Sequence, residues 1–180
     1  MSVSAEEAAA ALNGADCLHT ATDVATALDR MAVAIQQDYR SSNPLVLCMM
    51  IGGLLPAGHL LSRIPIPLQI DYIHATRYRG ETVGGELDWR AEPTESVAGR
   101  HVILVDDILD QGLTLAAVRD YCLERGAASV GIAVLVNKQV ERRVPLEADY
   151  VGLDVPDRYV FGFGMDYEHY LRNINGIYAL

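Results

Sequence analysis

Basic residues are scarce in this chain: 14 Lys and Arg stand against 24 Asp and Glu, a formal charge of −10 over 180 residues. A broad nucleic-acid-binding face depends on Lys and Arg to neutralise phosphates, so that function class is set aside and only a local basic patch stays open. Cysteine is equally sparse. Cys17, Cys48 and Cys122 are an odd number, scattered, and without metal-ligand spacing. Cys48 and Cys122 lie in apolar stretches and read as core residues, a pattern that fits a reducing compartment. No apolar stretch reaches the length needed to cross a membrane. The opening MSVSAEEAAAALNGA is acidic and alanine-rich, and it lacks the basic n-region of a secretory signal. The expected location is cytoplasmic. Internal repeats and low-complexity tracts are missing too.

What is present is the composition of a folded domain. Hydrophobic residues make up 51% of the chain, which argues for a globular fold and against disorder. One domain, 1–180, is expected, large enough to bury a core. Residues 4–12 read as a helix with Glu6 and Glu7 in its first turn, stopped by Asn13-Gly14. Asp23 is placed to cap a second helix reaching residue 39, with Val24, Leu28, Met31 and Ile35 as its apolar stripe. Residues 1–40 are therefore read as N-terminal helices. Residues 45–50 form a fully apolar strand ending at Gly52-Gly53, and 54–63 a helix that tolerates Pro56 in its first turn. Residues 68–75 begin with alternation. The stretch 77–98 is polar and glycine-containing without strong periodicity, and its length suits a mobile functional loop. Another apolar strand, 129–136, leads to Asn137-Lys138. The tail from 149 to 180 holds several tyrosines and one strand-like run, 158–163.

The densest chemistry lies in HVILVDDILDQGLTL, residues 101–115. Four apolar residues, Val102 to Val105, run into Asp106 and Asp107, and Asp110 follows just before Gln111-Gly112-Leu113-Thr114. The apolar run reads as a strand buried on both faces of a parallel sheet. Residues 115–125 read as a helix, with Leu115, Val118 and Cys122 on one stripe and Gly126 as its stop. Free N–H groups at a helix N-terminus attract phosphate, and paired carboxylates attract cations or sugar hydroxyls. Strand, acidic loop and helix together indicate a site for a phosphorylated sugar carrying a metal. Strands alternating with helices imply an α/β fold, a doubly wound and mostly parallel sheet flanked by helices. Such sheets bind ligands at the carboxyl ends of their strands. Gly52-Gly53, Asp106-Asp107 and Lys138 all sit at such ends.

These residues match a family. ILVDDILDQGLTL resembles the PRPP-binding signature of the type I phosphoribosyltransferases, where PRPP is 5-phosphoribosyl 1-pyrophosphate. The tail DYVGLDVPDRYVFGFGMDYEHYLRNINGIYAL is similar to the C-terminal region of the hypoxanthine-guanine, or 6-oxopurine, members. With the Gly-Gly loop and Lys138, the likeness extends over residues 45–180. It implies transfer of phosphoribose from PRPP to N9 of hypoxanthine or guanine, with release of pyrophosphate and with Mg²⁺ as cofactor. It also implies a small base-binding hood from residues 149–180, with a contribution from the N-terminal segment left open, and a homodimer or homotetramer that engages neither nucleic acid nor membrane. A xanthine-preferring enzyme and a non-catalytic nucleotide or PRPP sensor of the same fold are the alternatives.

The resemblance carries roles onto single positions. Asp106 and Asp107 correspond to the carboxylates that hold the ribose hydroxyls and magnesium's water shell. Asp110, Gln111, Gly112, Leu113 and Thr114 correspond to the loop that wraps the 5′-phosphate, and Asp110 also to the general base near N7 of the purine. Lys138 matches the lysine that donates to O6, Tyr159 an aromatic that stacks on the base, and Val160 a position whose backbone meets the base edge. Asp166 matches a base-side acid that ligates a second magnesium, and Arg172 a pyrophosphate ligand together with Ile51 and Gly52. Tyr167 and Tyr170 read as core. Two positions depart from the pattern. Ile51 stands where many members carry a basic or polar residue, and the family's cis peptide is expected at Met50-Ile51. Arg77-Tyr78 stands in place of a Ser-Tyr pair in the mobile loop. Tyr78 retains the capacity to shield the transition state from water. The swap motivates the hypothesis that Arg77 reaches pyrophosphate and partly replaces the missing cation.

Overall fold

The computed structural model describes residues 3–77 and 87–180. The chain opens with α1 (Ala5–Gly14), whose capping box pairs the Ser4 hydroxyl with the Glu7 N–H and the Glu7 carboxylate with the Ser4 N–H. A short strand, β1 (Asp16–His19), follows, and then α2 (Ala21–Tyr39). The first forty residues are thus not helical throughout. Nor is Asp23 the cap of α2: Thr20 is, and Asp23 is the third helical residue, returning a bond to the Thr20 N–H. The Thr-x-x-Asp spacing makes this a capping box rather than a single cap. Next come β2 (Leu45–Met49), α3 (Leu54–Leu61), β3 (Gln69–Arg77) and β4 (Leu87–Ala91). The central motif forms β5 (His101–Leu109) and α4 (Leu113–Glu124), and β6 (Ser129–Lys138), β7 (Tyr150–Val155), β8 (Val160–Phe161) and β9 (Ile177–Ala179) complete the fold.

Six strands form the main sheet in the order β4-β3-β2-β5-β6-β7. All its pairings are parallel except β3 with β4. The doubly wound α/β expectation holds, with an antiparallel edge that the polar composition of 77–98 concealed. β4 pairs through its backbone with β3, so its own side chains need not alternate strictly. A second, antiparallel sheet joins β1, β9 and β8. It unites the N-terminal and C-terminal segments into one small hood. The strand-like run 158–163 shortens to two residues there, because Gly162 turns the chain at φ 100.

Residues alternate along β5 between two cores, which explains its unbroken apolar run. Ile103 and Val105 pack with α2 and α3, while Val102 and Leu104 pack with Leu115, Val118 and Cys122 of α4. Burial pushes the thiols of Cys48 and Cys122 up to about 11, so both are protonated core side chains at neutral pH. The apolar run then carries the strand past its acids: Asp106 and Asp107 lie in β5, paired beside Val134 to Val136 of β6, rather than in a loop. Among the described residues, no helix is long and apolar enough to cross a membrane. Gly58 lies exposed inside α3, and nothing stands within 4 Å of a Cβ built on it. Gly58→Ala is expected to stabilise the protein by about 0.5–1 kcal/mol, read as a higher denaturant midpoint at unchanged slope.

Candidate active site

The carboxyl ends of β2, β5 and β6 open into a cavity of about 860 Å³. Ile51, Gly52, Asp106, Asp107, Asp110, Lys138, Tyr159, Val160, Asp166 and Arg172 all line it. An adjoining cavity of about 480 Å³ shares the three aspartates and is lined by Gln111, Gly112, Leu113 and Thr114. Tertiary structure therefore gathers the residues singled out from the sequence, with two exceptions. The Arg77 side chain and Tyr78 lie outside the described residues.

Each side chain has a local reason for its place. The loop after β2 leaves the sheet through a cis Met50-Ile51 peptide, as expected, and exposes the Ile51 side chain. Gly52 passes so close to β5 that a Cβ there would lie 2.1 Å from Asp107 Oδ2. After β5, Gly112 adopts φ 75, a left-handed conformation open to glycine, and caps α4. The helix begins at Leu113, two residues before its apolar stripe, so Thr114 sits inside the first turn. The free N–H groups of that turn border the smaller cavity.

Two carboxylates stand at the junction of the cavities. Asp107 is only 7% exposed, and its backbone N–H donates to Asp106 Oδ1 at 2.9 Å. Removal from water raises both acids above the usual carboxylate range. For Asp106 the neighbouring Asp107 charge adds to the rise, which is the larger of the two. Arg172 offsets part of it, with Nη1 3.7 Å from Asp107 Oδ2. The Arg172 guanidinium also holds Asp166 Oδ1 at 2.6 Å and donates to the Gly164 carbonyl at 2.6 Å. Among the described residues, no three metal-ligating side chains cluster. The donor set suits a hard cation that completes its shell with water and substrate oxygens rather than an all-protein cage.

Lys138, Tyr159 and Val160 line another part of the same cavity. Lys138 ends β6 with Nζ 3.7 Å from Asp110 Oδ2 and 3.0 Å from Asp157 Oδ1. Tyr159 is 47% exposed and meets Tyr167 edge-to-face at 5.8 Å. Its neighbour Val160 belongs to the hood strand β8. Tyr170 is 40% exposed, so its reading as core is corrected: it pairs with Tyr167 in a surface turn. Around it Phe163, Glu168, His169 and Leu171 all have positive φ. Such a concentration of non-glycine outliers is typical of segments whose shape is set by function.

Sequence reasoning missed part of the lining. His74 and Thr76 of β3 and Asp88 and Arg90 of β4 face the larger cavity. They enter through the β3–β4 pairing, which left no periodicity to read. Arg143 of the smaller cavity's wall was missed as well, with its neighbour Arg142, which donates to the Asp110 carbonyl, although two adjacent arginines in an acidic chain are a usable signal.

Comparison with known proteins agrees with this geometry. The phosphoribosyl transferase domain matches residues 14–169. A hypoxanthine-guanine phosphoribosyltransferase of Streptococcus thermophilus is 35% identical over 158 residues, 87% of this chain and 88% of the relative. One from Streptococcus pneumoniae is 33% identical over 153 residues, 84% and 85% of the two chains. The solved structure of a hypoxanthine phosphoribosyltransferase from Staphylococcus aureus superposes with a TM-score of 0.88 at 28% identity, covering 92% of this chain and 90% of that one. Signature, cavity and relatives agree, and the chain belongs to the phosphoribosyltransferase family, in its hypoxanthine-guanine branch.

Proposed function

We propose that the protein is a purine salvage enzyme that transfers the 5-phosphoribosyl group of PRPP to N9 of hypoxanthine or guanine, giving IMP or GMP and pyrophosphate. The observation that carries this reading is convergence. The acidic end of β5, the phosphate-binding turn before α4 and Lys138 border joined cavities at the carboxyl edge of one parallel sheet. A phosphorylated sugar and a planar base have complementary places there.

The chemistry assigned to the residues follows from charge. Breaking the anomeric C–O bond builds positive charge on the ribose ring and negative charge on departing pyrophosphate. Asp106 and Asp107 hold the ribose hydroxyls and stabilise that cationic ring. Asp106, Asp107 and Asp166 would hold magnesium, which would supply neutralisation of the leaving group's charge. Arg172 and the N–H groups at Ile51-Gly52 bind pyrophosphate. Residues 110–114 hold the 5′-phosphate through backbone N–H groups and the Thr114 hydroxyl. Lys138 donates to O6, Tyr159 stacks on the ring and the Val160 backbone meets its edge. As N9 forms its bond to the anomeric carbon, the Asp110 carboxylate accepts the proton the purine gives up. The assembly is proposed as a cytoplasmic homodimer or homotetramer, for which exposed Ile70 and Tyr72 on one face of β3 offer apolar surface.

One steady-state assay tests the reading: PRPP and Mg²⁺ with hypoxanthine, guanine, xanthine, adenine and uracil in turn, following nucleotide formation. Turnover with hypoxanthine or guanine, absent without Mg²⁺, is expected. Turnover with xanthine alone would replace the acceptor, and none with any base would sink the enzyme assignment.

A further inference from the structure

Two adjacent arginines follow β6, and the fold gives them different surroundings. Arg142 donates to the Asp110 carbonyl at 3.2 Å, to the Lys138 carbonyl at 3.1 Å and to Asn137 Oδ1. These bonds tie the connection between β6 and β7 to the loop after β5. Val144 and Leu146 tighten the tie. A Cβ at Gly112 would lie 3.1 Å from Val144 Cγ2 and 3.4 Å from the Leu146 Cβ. Arg143, held between these anchors, lines the 480 Å³ cavity beside residues 111–115.

That cavity has an electrostatic deficit. Asp106, Asp107 and Asp110 contribute three carboxylates to its wall, while Arg143 is its one cation among the described residues. The loop itself, Asp110-Gln111-Gly112-Leu113-Thr114, carries no basic side chain. Against a phosphate dianion, the positive end of α4 offers about half an elementary charge. Backbone N–H groups orient the phosphate but do not neutralise it. Among the described residues, Arg143 is exposed and enters none of the ion pairs found, so its charge is available to a ligand.

We infer that Arg143 supplies the cation for the 5′-phosphate of PRPP and of the nucleotide product, with Arg142 positioning its segment. The inference rests on the phosphoribosyl reading above. It assigns the phosphate site to two parts of the chain: N–H donors from the α4 turn, and a charge from the β6–β7 connection. It also explains how a loop without a lysine or arginine can hold a dianion next to three acids.

The test compares wild-type protein with Arg143→Ala and Arg143→Lys, using calorimetric titration with IMP and with inosine, and steady-state kinetics. Arg143→Ala is expected to weaken IMP and raise the PRPP KM by about tenfold to a hundredfold, the scale of one lost charge-assisted contact. Inosine affinity and the KM for the base are expected to stay at wild-type values, because neither ligand carries a phosphate. Arg143→Lys is expected to recover most of the loss. Unchanged IMP affinity in Arg143→Ala of wild-type melting temperature would overturn the assignment. So would an equal loss for inosine, which would mark a structural role. Wild-type protein that binds no nucleoside monophosphate would instead overturn the phosphoribosyl reading, and Arg143's role with it.

Discussion

Asp110→Asn is expected to lower kcat by about 10²–10⁴-fold, the scale of a positioned general base. The substitution keeps the size and one oxygen of the side chain, and removes the negative charge, with its ion pair to Lys138, and the capacity to accept a proton. Asp110 is well placed for that loss to matter. Its carboxylate is partly exposed to the cavity, with Oδ2 3.7 Å from Lys138 Nζ, and its carbonyl is held by Arg142. In the proposed reading, a base whose O6 is held by Lys138 would present its five-membered ring toward Asp110. Because the backbone contacts survive the change, the melting temperature and the KM for PRPP are expected to move little. The measurement is kcat at saturating PRPP and base, with the melting temperature taken on the same protein. An unchanged kcat would remove the proton-accepting role.

Gly164→Ala is expected to cost stability and turnover together. Gly164 has φ +111, and a Cβ there would lie 2.4 Å from the Gly52 carbonyl, 3.0 Å from the Asp107 Cβ and 3.1 Å from Pro56 Cδ. The backbone conformation alone costs an L-residue about 1–3 kcal/mol, and overpacking against main chain adds a similar amount. A loss of about 3 kcal/mol lowers the melting temperature of a protein this size by roughly 6–12 °C. The neighbours that must yield are the Gly52 loop after β2 and the buried Asp107, both of which line the larger cavity, so the folded fraction is also expected to lose activity. Gly58→Ala, which meets nothing, is the control for glycine replacement itself. Thermal melts and kcat of the two variants decide the matter. A Gly164→Ala protein with wild-type values for both would show that the hood and the loop after β2 do not pack as described.

Which features could be read from the sequence follows from how local their causes are. β2, β5 and β6 are continuous apolar runs, since both faces of each are covered. β4 is five residues, LDWRA, stabilised by pairing with β3, and nothing in its composition demanded a strand. β1 and β9 are four and three residues long and exist because they pair with each other across nearly the whole chain. Such short strands draw their stability from partners distant in sequence. The same distinction separates the site residues. Asp106 to Thr114 are contiguous and declared themselves as a motif. His74 and Arg90 reach the larger cavity from other elements and declared nothing, and Arg143 signalled only through its adjacency to Arg142.

By itself the sequence determined the α/β class, the central acidic strand with the glycine turn that follows it, and the family whose pattern these residues match. Those properties depend on contiguous residues, whose spacing dictates burial and backbone conformation directly. Only the tertiary structure decided that Asp106 and Asp107 lie within β5, and that the two ends of the chain share one hood sheet. It alone brought Arg172 to a distance that bridges Asp107 and Asp166, and placed Arg143 beside a loop that has no cation of its own. These depend on packing between distant segments. There the deciding quantities are the close approach of Gly52 to Asp107, of Gly164 to Gly52 and of Gly112 to Val144, and no local pattern records them.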